Sequence, residues 1–462
     1  MSNENSAGAN HVEDTLLPIP EDKRILGKTS YLTAWLGGCI SIGTFALGSS
    51  IVQSGLSLMQ AGLAMLIGSL ILIAGLILND RLSYKTGIPY VVQLKSAFGT
   101  KGTIVPSLLR AAPAIVWYGV QSWLAGTALN EVSKTLFGFD NVIFFFIAFQ
   151  ITQMLLSLLG FKGVKWIENI GAIFIVGALT YMFYVCLTTY GDVISEKLIN
   201  KQGTWGLPFW TAIISFFGVN ITVMLNAGDY VRELKPGYSD ATRGVVYFLA
   251  MVPATVFMGI IGLMITTATG IANPIVAFSS AVDNKILVVS TLLFIIFAQM
   301  TTNLLSNVIP PVYALMDAFK LKHKTAATLV SVIAVCTFPW ELVKESSAAG
   351  LDVFIQTYTV FFGPIFAVLL TDYYIIRKQK VDLNELYDED GPFKGVNYAA
   401  IAAIVIGAAF GFINRGLSFF ISFIPTMAAY YILMKNLPSS RPFCRGTSLC
   451  QENVPVQDIA EG

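Results

Sequence analysis

The third predicted transmembrane helix carries an indole and an amide at a spacing that suits a planar ligand. Trp117 and Gln121 are four residues apart, so both side chains lie on one helix face. An indole offers a flat stacking surface, and a glutamine amide offers a donor and an acceptor together. The pair indicates a site for a planar ring with an amide edge. The alternative is a Trp packed in the bundle and a Gln bonded to a neighbouring helix.

The eighth predicted helix carries oxygen-bearing side chains at mid-membrane. Ala298, Thr301 and Thr302 fall at positions i, i+3 and i+4, on one face. Two hydroxyls and a carbonyl released by a bend can replace the hydration shell of a small hard cation. Asn303 and Asn307 form a second i, i+4 pair on this helix. The alternative is that each threonine bonds its own helix backbone.

Two further predicted helices have the composition of interrupted spans. The first is rich in glycine, serine and threonine over residues 37–50, and the sixth carries glycine, threonine and asparagine over residues 218–228. Glycine weakens a helix interior, and polar neighbours can satisfy the released backbone groups. Interrupted helices five spans apart are typical of an inverted repeat, which places helix ends at the membrane midplane. The alternative is close helix packing at small residues.

The elements that must position these residues are membrane spans. Hydrophobic residues make up 55% of the 462 residues and charged residues 12%, against about 25% charged in soluble chains. Residues 30–79 contain no Asp, Glu, Lys or Arg, and about 20 apolar residues cross a bilayer. An all-α integral membrane protein with about twelve transmembrane helices is predicted. Their centres lie near Cys39, Gly68, Val120, Gln150, Val176, Gly218, Val256, Met300, Val332, Ala367, Ile406 and Thr426.

The distribution of charge predicts orientation and excludes several chemistries. Basic residues collect in alternate connections, which places both termini in the cytoplasm of a multi-pass plasma-membrane protein. The scattered cysteines lack metal-ligand spacing, and those of the C-terminal tail are predicted to be free thiols. Ionisable residues are almost absent from span centres, because the acids Glu131, Glu168, Asp229 and Asp372 sit near predicted ends. The scarcity of central acids favours a metal cation over a proton as the coupling ion, although water or an acid at a span end could still carry protons. An enzyme active site is not expected.

Seven short segments along the chain carry a family pattern. They are Trp117–Leu124, Leu225–Arg232, Asn273–Val276, Thr301–Asn307, Pro339–Trp340, Gly363–Pro364 and Asp372–Arg377. With the glycine-rich first helix, they resemble the bacterial nucleobase–cation symporters of the purine–cytosine permease family, which include hydantoin and allantoin permeases. The resemblance implies an inverted five-plus-five repeat with broken first and sixth helices and two extra C-terminal helices.

Domain boundaries follow from this resemblance and from the charge pattern. They are a cytoplasmic N-terminal tail (1–29), a first five-helix repeat (30–190), a second repeat (205–376), a cytoplasmic loop (377–396), two extra helices (397–436) and a cytoplasmic C-terminal tail (437–462), which is predicted to be disordered.

The resemblance also implies roles for individual residues. Trp117 matches a stacking Trp of the family, and Gln121 and Asn307 match hydrogen-bonding residues of its substrate site. The sodium site implied for this chain consists of the backbone carbonyls of Gly37, Ile40 and Ala298 and the hydroxyls of Thr301 and Thr302.

Two positions depart from the family pattern. A second stacking Trp of the sixth helix is replaced by Asn220, and a Gln of the first helix is replaced by Ser41. Both residues, with Gly218, are assigned to the substrate site. Loss of an aromatic face costs about 1 kcal/mol of stacking and adds a hydrogen-bonding group. The substrate is therefore expected to be smaller or more polar than an aryl-substituted hydantoin.

The predicted activity is import of a purine, cytosine, uracil, hydantoin or allantoin type of heterocycle by secondary active symport. The expected partners are the heterocycle, a sodium ion and the lipid bilayer, without a cofactor or nucleic acid, and the expected functional unit is a monomer. The open alternatives are a proton-coupled nucleobase or allantoin permease and an amino-acid or osmolyte carrier of the same architecture. The sequence does not distinguish among the heterocycles.

Overall fold

Helices form nearly all of the structure. The computed structural model describes residues 14–40, 42–158, 177, 180–271, 276–277, 285–342 and 348–451, and this part of the chain contains no β-strand. In chain order the principal helices are α1 (Lys28–Cys39), α2 (Ile42–Ser50), α3 (Leu58–Thr86), α4 (Ile104–Phe137), α5 (Val142–Ser157), α6 (180–194), α7 (Leu207–Leu225), α8 (Ala227–Val231), α9 (Asp240–Thr269), α10 (Lys285–Asn303), α11 (Ile309–Phe319), α12 (His323–Val335), α13 (Ala348–Leu370), α14 (Tyr398–Ile413) and α15 (Ser418–Asn436).

The predicted spans and the observed helices agree. All twelve predicted centres lie in these helices except Val176, which lies outside the described residues. Six of the described helical segments are long and apolar enough to cross a bilayer, and the bent pair of α1 and α2 can supply a seventh crossing. Helices α5, α12 and α14 are apolar but shorter. The prediction of an all-α membrane fold is confirmed.

The first span is interrupted, as the glycine-rich sequence predicts. Helix α1 ends at Cys39, Ile40 has extended backbone angles (φ −81°, ψ 101°), and the chain bends by 56° before α2 continues. Close packing against α9 requires a glycine here, because a Cβ at Gly48 would lie 2.0 Å from the carbonyl oxygen of Gly259. The bend leaves backbone carbonyls at the end of α1 without their helical partners.

The sixth span is interrupted at Asn226. Helix α7 runs unbroken through Gly218 to Leu225, and Asn226 (φ −89°, ψ 16°) separates it from α8. The Asn226 amide donates to Asp229 Oδ2 at 2.7 Å, and Asp229 Oδ1 accepts the Tyr90 backbone N–H at 2.8 Å. The break therefore lies near the C-terminal end of the polar stretch, where the Asn226 and Asp229 side chains bond each other and Asp229 bonds the distant backbone of Tyr90.

The eighth span changes its helical pitch beside two prolines. After α10 the residues Leu304–Val308 form a π-helical turn, and α11 follows. Pro310 and Pro311 have no N–H, so the residues four and five positions after Ser306 cannot donate to its carbonyl oxygen. That carbonyl requires a donor from elsewhere in the molecule.

The C-terminal tail is folded where the structure describes it. Pro438–Cys444 is a 3₁₀-helix with Phe443 buried, and Arg377 Nη2 donates to the Phe443 carbonyl at 2.7 Å. Cys444 and Cys450 form a disulfide. The predictions of a disordered tail and of free thiols there were therefore wrong for residues 438–451. The polar composition of the tail predicts disorder, but the buried Phe443 ring and the bond from Arg377 hold this segment against the bundle.

The N-terminal segment also packs against the bundle from residue 14 onward. Leu26 forms a parallel bridge with Leu234, and Arg232 Nη2 donates to the carbonyls of Thr15 at 3.0 Å and Leu17 at 3.2 Å. The segment predicted as a tail thus lies across the connection that follows α8.

Candidate functional site

A small cavity lies where α1, α4, α7, α10 and the π-helical turn meet. It is lined by Gly38, Trp117, Gln121, Val219, Asn220, Thr222, Val223, Thr302, Ser306 and Asn307. Four residues assigned to the substrate site from the sequence are among them, namely Trp117, Gln121, Asn220 and Asn307. None of the lining side chains carries a charge. The cavity can therefore accept a neutral polar ligand without leaving an unpaired charge.

The α4 wall of the cavity contains the predicted stacking residue. Trp117 and Gln121 are both buried, one turn apart. The Trp117 indole N–H donates to Tyr358 Oη at 3.4 Å, and its ring lies 6.3 Å from the Phe354 ring, tilted by 57°. Sequence reasoning missed these two α13 residues, because nothing in their spacing separates them from other apolar residues of that helix.

Asparagine amides face the cavity from two different helices. The Asn307 side-chain NH₂ donates to Asn303 Oδ1 at 2.9 Å, so the predicted i, i+4 pair is formed. Asn303 in turn donates to the Tyr118 carbonyl at 3.2 Å. Asn220 Nδ2 on α7 is buried and has no hydrogen-bond partner among the described residues. Asn220 therefore keeps a donor for a ligand acceptor.

Gly218, a predicted substrate residue, does not join this group. Gly218 does not line the cavity, because its carbonyl accepts the Tyr358 hydroxyl at 3.4 Å and an added Cβ would meet Ile355. The face of α7 that carries Gly218 packs against α13. Ser41 lies outside the described residues.

Part of the predicted cation group, namely Thr302 with the carbonyls of Gly37 and Ile40, lies at the contact between α10 and the end of α1. Thr302 Oγ1 lies 2.8 Å from the carbonyl oxygen of Gly37 and 2.7 Å from that of Ile40. On the adjacent residue, Thr301 Oγ1 donates to the Ala298 carbonyl of the same helix at 3.0 Å. Thr301 and Thr302 are both buried. The break after α1 leaves the Gly37 and Ile40 carbonyls free to accept from Thr302, because a continuous helix would engage both carbonyls.

A buried arginine beside the cavity was missed from the sequence. Arg110 on α4 is 1% exposed. Its Nε donates to the Thr222 carbonyl at 2.9 Å and its Nη2 to the Ser306 carbonyl at 3.2 Å. Arg110 lies ten residues before the predicted span centre at Val120, so the expectation that ionisable residues are almost absent from span centres stands, but the sequence analysis did not assign this residue a role. The available signal was the position of Arg110 seven residues before Trp117, on the same helix face.

The fold matches that of a solved transporter. The structure of Mhp1, described as a nucleobase-cation-symport-1 family transporter in a closed conformation with bromovinylhydantoin bound, superposes with a TM-score of 0.84 at 25% sequence identity. The match covers 92% of this chain and 97% of that chain.

Sequence comparisons give the same relationship. The chain is 26% identical over 436 residues to the hydantoin permease of Microbacterium maritypicum, with 91% of this chain and 88% of that protein covered. It is 25% identical over 470 residues to the allantoin permease of Bacillus subtilis (strain 168), with 92% and 93% covered. The family model described as permease for cytosine/purines, uracil, thiamine, allantoin matches residues 18–434. This chain is therefore a multi-pass membrane transporter and not an enzyme, and it belongs to that permease family.

Proposed function

We propose that this protein imports a small neutral heterocycle with ring carbonyl or amide groups, coupled to the inward movement of sodium. The observation that carries the proposal is the meeting of Trp117, Gln121, Asn220 and Asn307 with Thr302 around one cavity. The first four supply the ligand contacts, and Thr302 belongs also to the predicted cation group.

The cavity chemistry supports a planar polar ring. The Trp117 indole offers a stacking face, and the Gln121 and Asn307 amides offer donors and acceptors at the ring edge. The Asn220 NH₂ adds a buried donor for a carbonyl oxygen. Because no lining side chain is charged, a nucleobase or ureide fits this cavity better than an amino-acid zwitterion.

The oxygen cluster at the end of α1 supports sodium as the coupling ion. The Gly37 and Ile40 carbonyls and the Thr302 hydroxyl bring three oxygens together with one hydroxyl hydrogen among them. One hydrogen cannot satisfy two acceptors fully at the same time, so a hard cation would relieve the excess of oxygen lone pairs. Thr301 Oγ1, on the adjacent residue, and the Ala298 carbonyl oxygen to which it is bonded would supply two further ligands.

The shared position of Thr302 provides a physical route for coupling. A cation held by Thr302, Gly37 and Ile40 would hold the broken first span against α10 and so fix one wall of the substrate cavity. Each ligand would then raise the affinity for the other by the same factor. Transport would proceed by alternating access, with residues 30–190 and 205–376 as the two inverted repeats. The protein would lie in the plasma membrane with both termini in the cytoplasm and would act as a monomer.

The test is thermal stabilisation of the purified protein by uracil, cytosine, hypoxanthine, hydantoin and allantoin, each measured in sodium, in potassium and across pH. We expect at least one heterocycle to stabilise the protein, and sodium to enhance that effect. Trp117→Ala should abolish stabilisation, whereas Trp123→Ala, which alters an indole packed on Phe146 and Trp340 away from the cavity, should retain it.

Other outcomes would identify the alternatives. Enhancement by low pH without a sodium effect would indicate proton coupling. Stabilisation by amino acids or osmolytes, with none by heterocycles, would contradict the proposed substrate class.

A further inference from the structure

We propose that Arg110 is the lock that closes the cavity on its cytoplasmic side, by tying α4 to the sixth and eighth spans at once. It is a positioning residue, because it is not among the residues that line the cavity. Three features support this role: Arg110 is buried, it bonds two backbone carbonyls, and a second void lies below the cavity.

Among the described residues, Arg110 donates to two backbone carbonyls, both of residues that line the cavity. Thr222 on α7 and Ser306 in the π-helical turn accept its Nε–H and Nη2–H, and both residues line the cavity. Its Nη1 has no hydrogen-bond partner within the part of the chain that the structure describes. A charged side chain inside a span is costly and is typical of a functional site.

The two carbonyls need this donor for reasons that lie in the sequence. Ser306 O lacks an α-helical or π-helical donor because Pro310 and Pro311 follow. Thr222 O receives only a long bond, 3.4 Å, from the Asn226 N–H, because α7 ends one residue earlier. Arg110 thus satisfies backbone groups that the breaks in two spans release.

The bonds lie at the boundary between the cavity and a second void. That void shares Gly38, Val223 and Ser306 with the cavity and is lined on its other sides by Trp35 and Tyr230, among others. Ser306 Oγ also reaches the Gly38 carbonyl at 3.5 Å. These three shared residues form the cavity floor, and the orientation proposed above places the void on the cytoplasmic side.

Opening this floor requires the Arg110 guanidinium to lose one of its two carbonyl acceptors. Arg110 lies about 10 Å from Trp117 along α4, two turns nearer the helix N-terminus. If α7 moves away from α4, the Thr222 bond breaks and a buried charge loses one of its two acceptors. Each such charge-assisted bond shifts an equilibrium by about tenfold or more. The closed floor is therefore favoured as long as both bonds are in place.

The test measures access to the floor from the cytoplasmic side. Val223→Cys places a thiol at a position that lines both voids. Inside-out membrane vesicles are treated with a membrane-impermeant maleimide, and labelling of each cysteine-containing peptide is followed by mass spectrometry. In this background Arg110→Lys keeps the positive charge but lacks the planar guanidinium that reaches both carbonyls. It should increase the rate at which the thiol of Val223→Cys is labelled about tenfold. Arg110→Gln should do the same.

Two controls separate a lock from a general loss of structure. Cys186 is fully buried and reports unfolding, so its labelling should stay unchanged. Arg243→Lys alters another buried arginine, bonded to Asp80 away from the cavity, and should leave Val223→Cys labelling unchanged. Unchanged labelling of Val223→Cys in both Arg110 variants, or a parallel rise at Cys186, would overturn the proposal.

A second measurement uses transport itself and rests on the proposed function. In proteoliposomes, Arg110→Lys should lower steady-state accumulation of the stabilising heterocycle about tenfold while downhill exchange persists, because a floor that opens too readily lets the substrate leak. Unchanged accumulation would contradict the lock. If no heterocycle binds the wild-type protein, the proposed function fails, and the labelling experiment still decides the role of Arg110.

Discussion

Thr302 Oγ1 lies 2.8 Å from the Gly37 carbonyl oxygen, across the contact between the eighth span and the broken first span. The same hydroxyl reaches the Ile40 carbonyl at 2.7 Å, and the residue also lines the cavity that contains Trp117. One residue therefore belongs both to the oxygen cluster and to the lining of the cavity. Because the two groups share this residue, we expect a change in one to affect the other.

Removing the two threonine hydroxyls should abolish the sodium effect. In Thr301→Ala combined with Thr302→Ala, the heterocycle should bind equally well in sodium and in potassium, because two of the proposed oxygen ligands are gone. Isothermal titration in both salts measures the difference. Thr426→Ala is the matched control, since its hydroxyl is also buried and bonds its own helix, at Ser422 O. An intact sodium effect in the double variant would rule out this cation site.

Truncating Asn220 should weaken binding of carbonyl-bearing heterocycles. Its NH₂ is buried without a partner among the described residues, so a ligand carbonyl can accept from it. Loss of one such bond corresponds to about a tenfold rise in Kd for Asn220→Ala. Asn436→Ala, an exposed amide at the end of α15, should leave Kd unchanged. Equal Kd values for the two variants and the wild type would show that Asn220 does not contact the ligand.

The buried ion pair between α3 and α9 should contribute to stability and not to binding. Arg243 donates to both Asp80 oxygens, at 2.9 and 2.8 Å, and Tyr247 Oη donates to one of them at 2.5 Å. Asp80→Ala removes the buried partner of the guanidinium and leaves it only the partly exposed Asp240 and the Tyr238 carbonyl, so the variant should cost about 3 kcal/mol of unfolding free energy. Thermal denaturation should show a lowered Tm. The exposed pair of Asp390 and Lys394 provides the control, because Asp390→Ala should not shift Tm. Equal Tm values for the two variants would contradict a stabilising role.

The folded part of the C-terminal tail should matter for stability in the same way. Phe443 is 3% exposed, and its carbonyl accepts from Arg377. Phe443→Ala should cost about 3 kcal/mol through lost burial and a residual cavity, with heterocycle affinity unchanged. Phe412→Ala, at a ring that is 53% exposed, should have a much smaller effect on Tm. An unchanged Tm for Phe443→Ala would mean that the tail does not stay docked in solution.

The sequence was sufficient for features that depend on neighbours along the chain. Hydrophobic runs predicted the helices, because a span must bury its backbone polar groups internally whatever surrounds it. Helical periodicity placed Trp117 and Gln121 on one face and paired Asn303 with Asn307. Glycine and serine content predicted the interruption that the structure places after Cys39.

Tertiary structure decided the contacts between residues far apart in the chain. Gly218 faces Tyr358 and not the cavity, and the sixth span breaks at Asn226, eight residues later. Arg110 could be read from the sequence as a charge in an apolar run, but its two acceptors lie 112 and 196 residues away. Composition and period describe one helix at a time. Which faces meet depends on how the helices pack, and that packing alone gathers Trp117, Asn220 and Thr302 around one cavity.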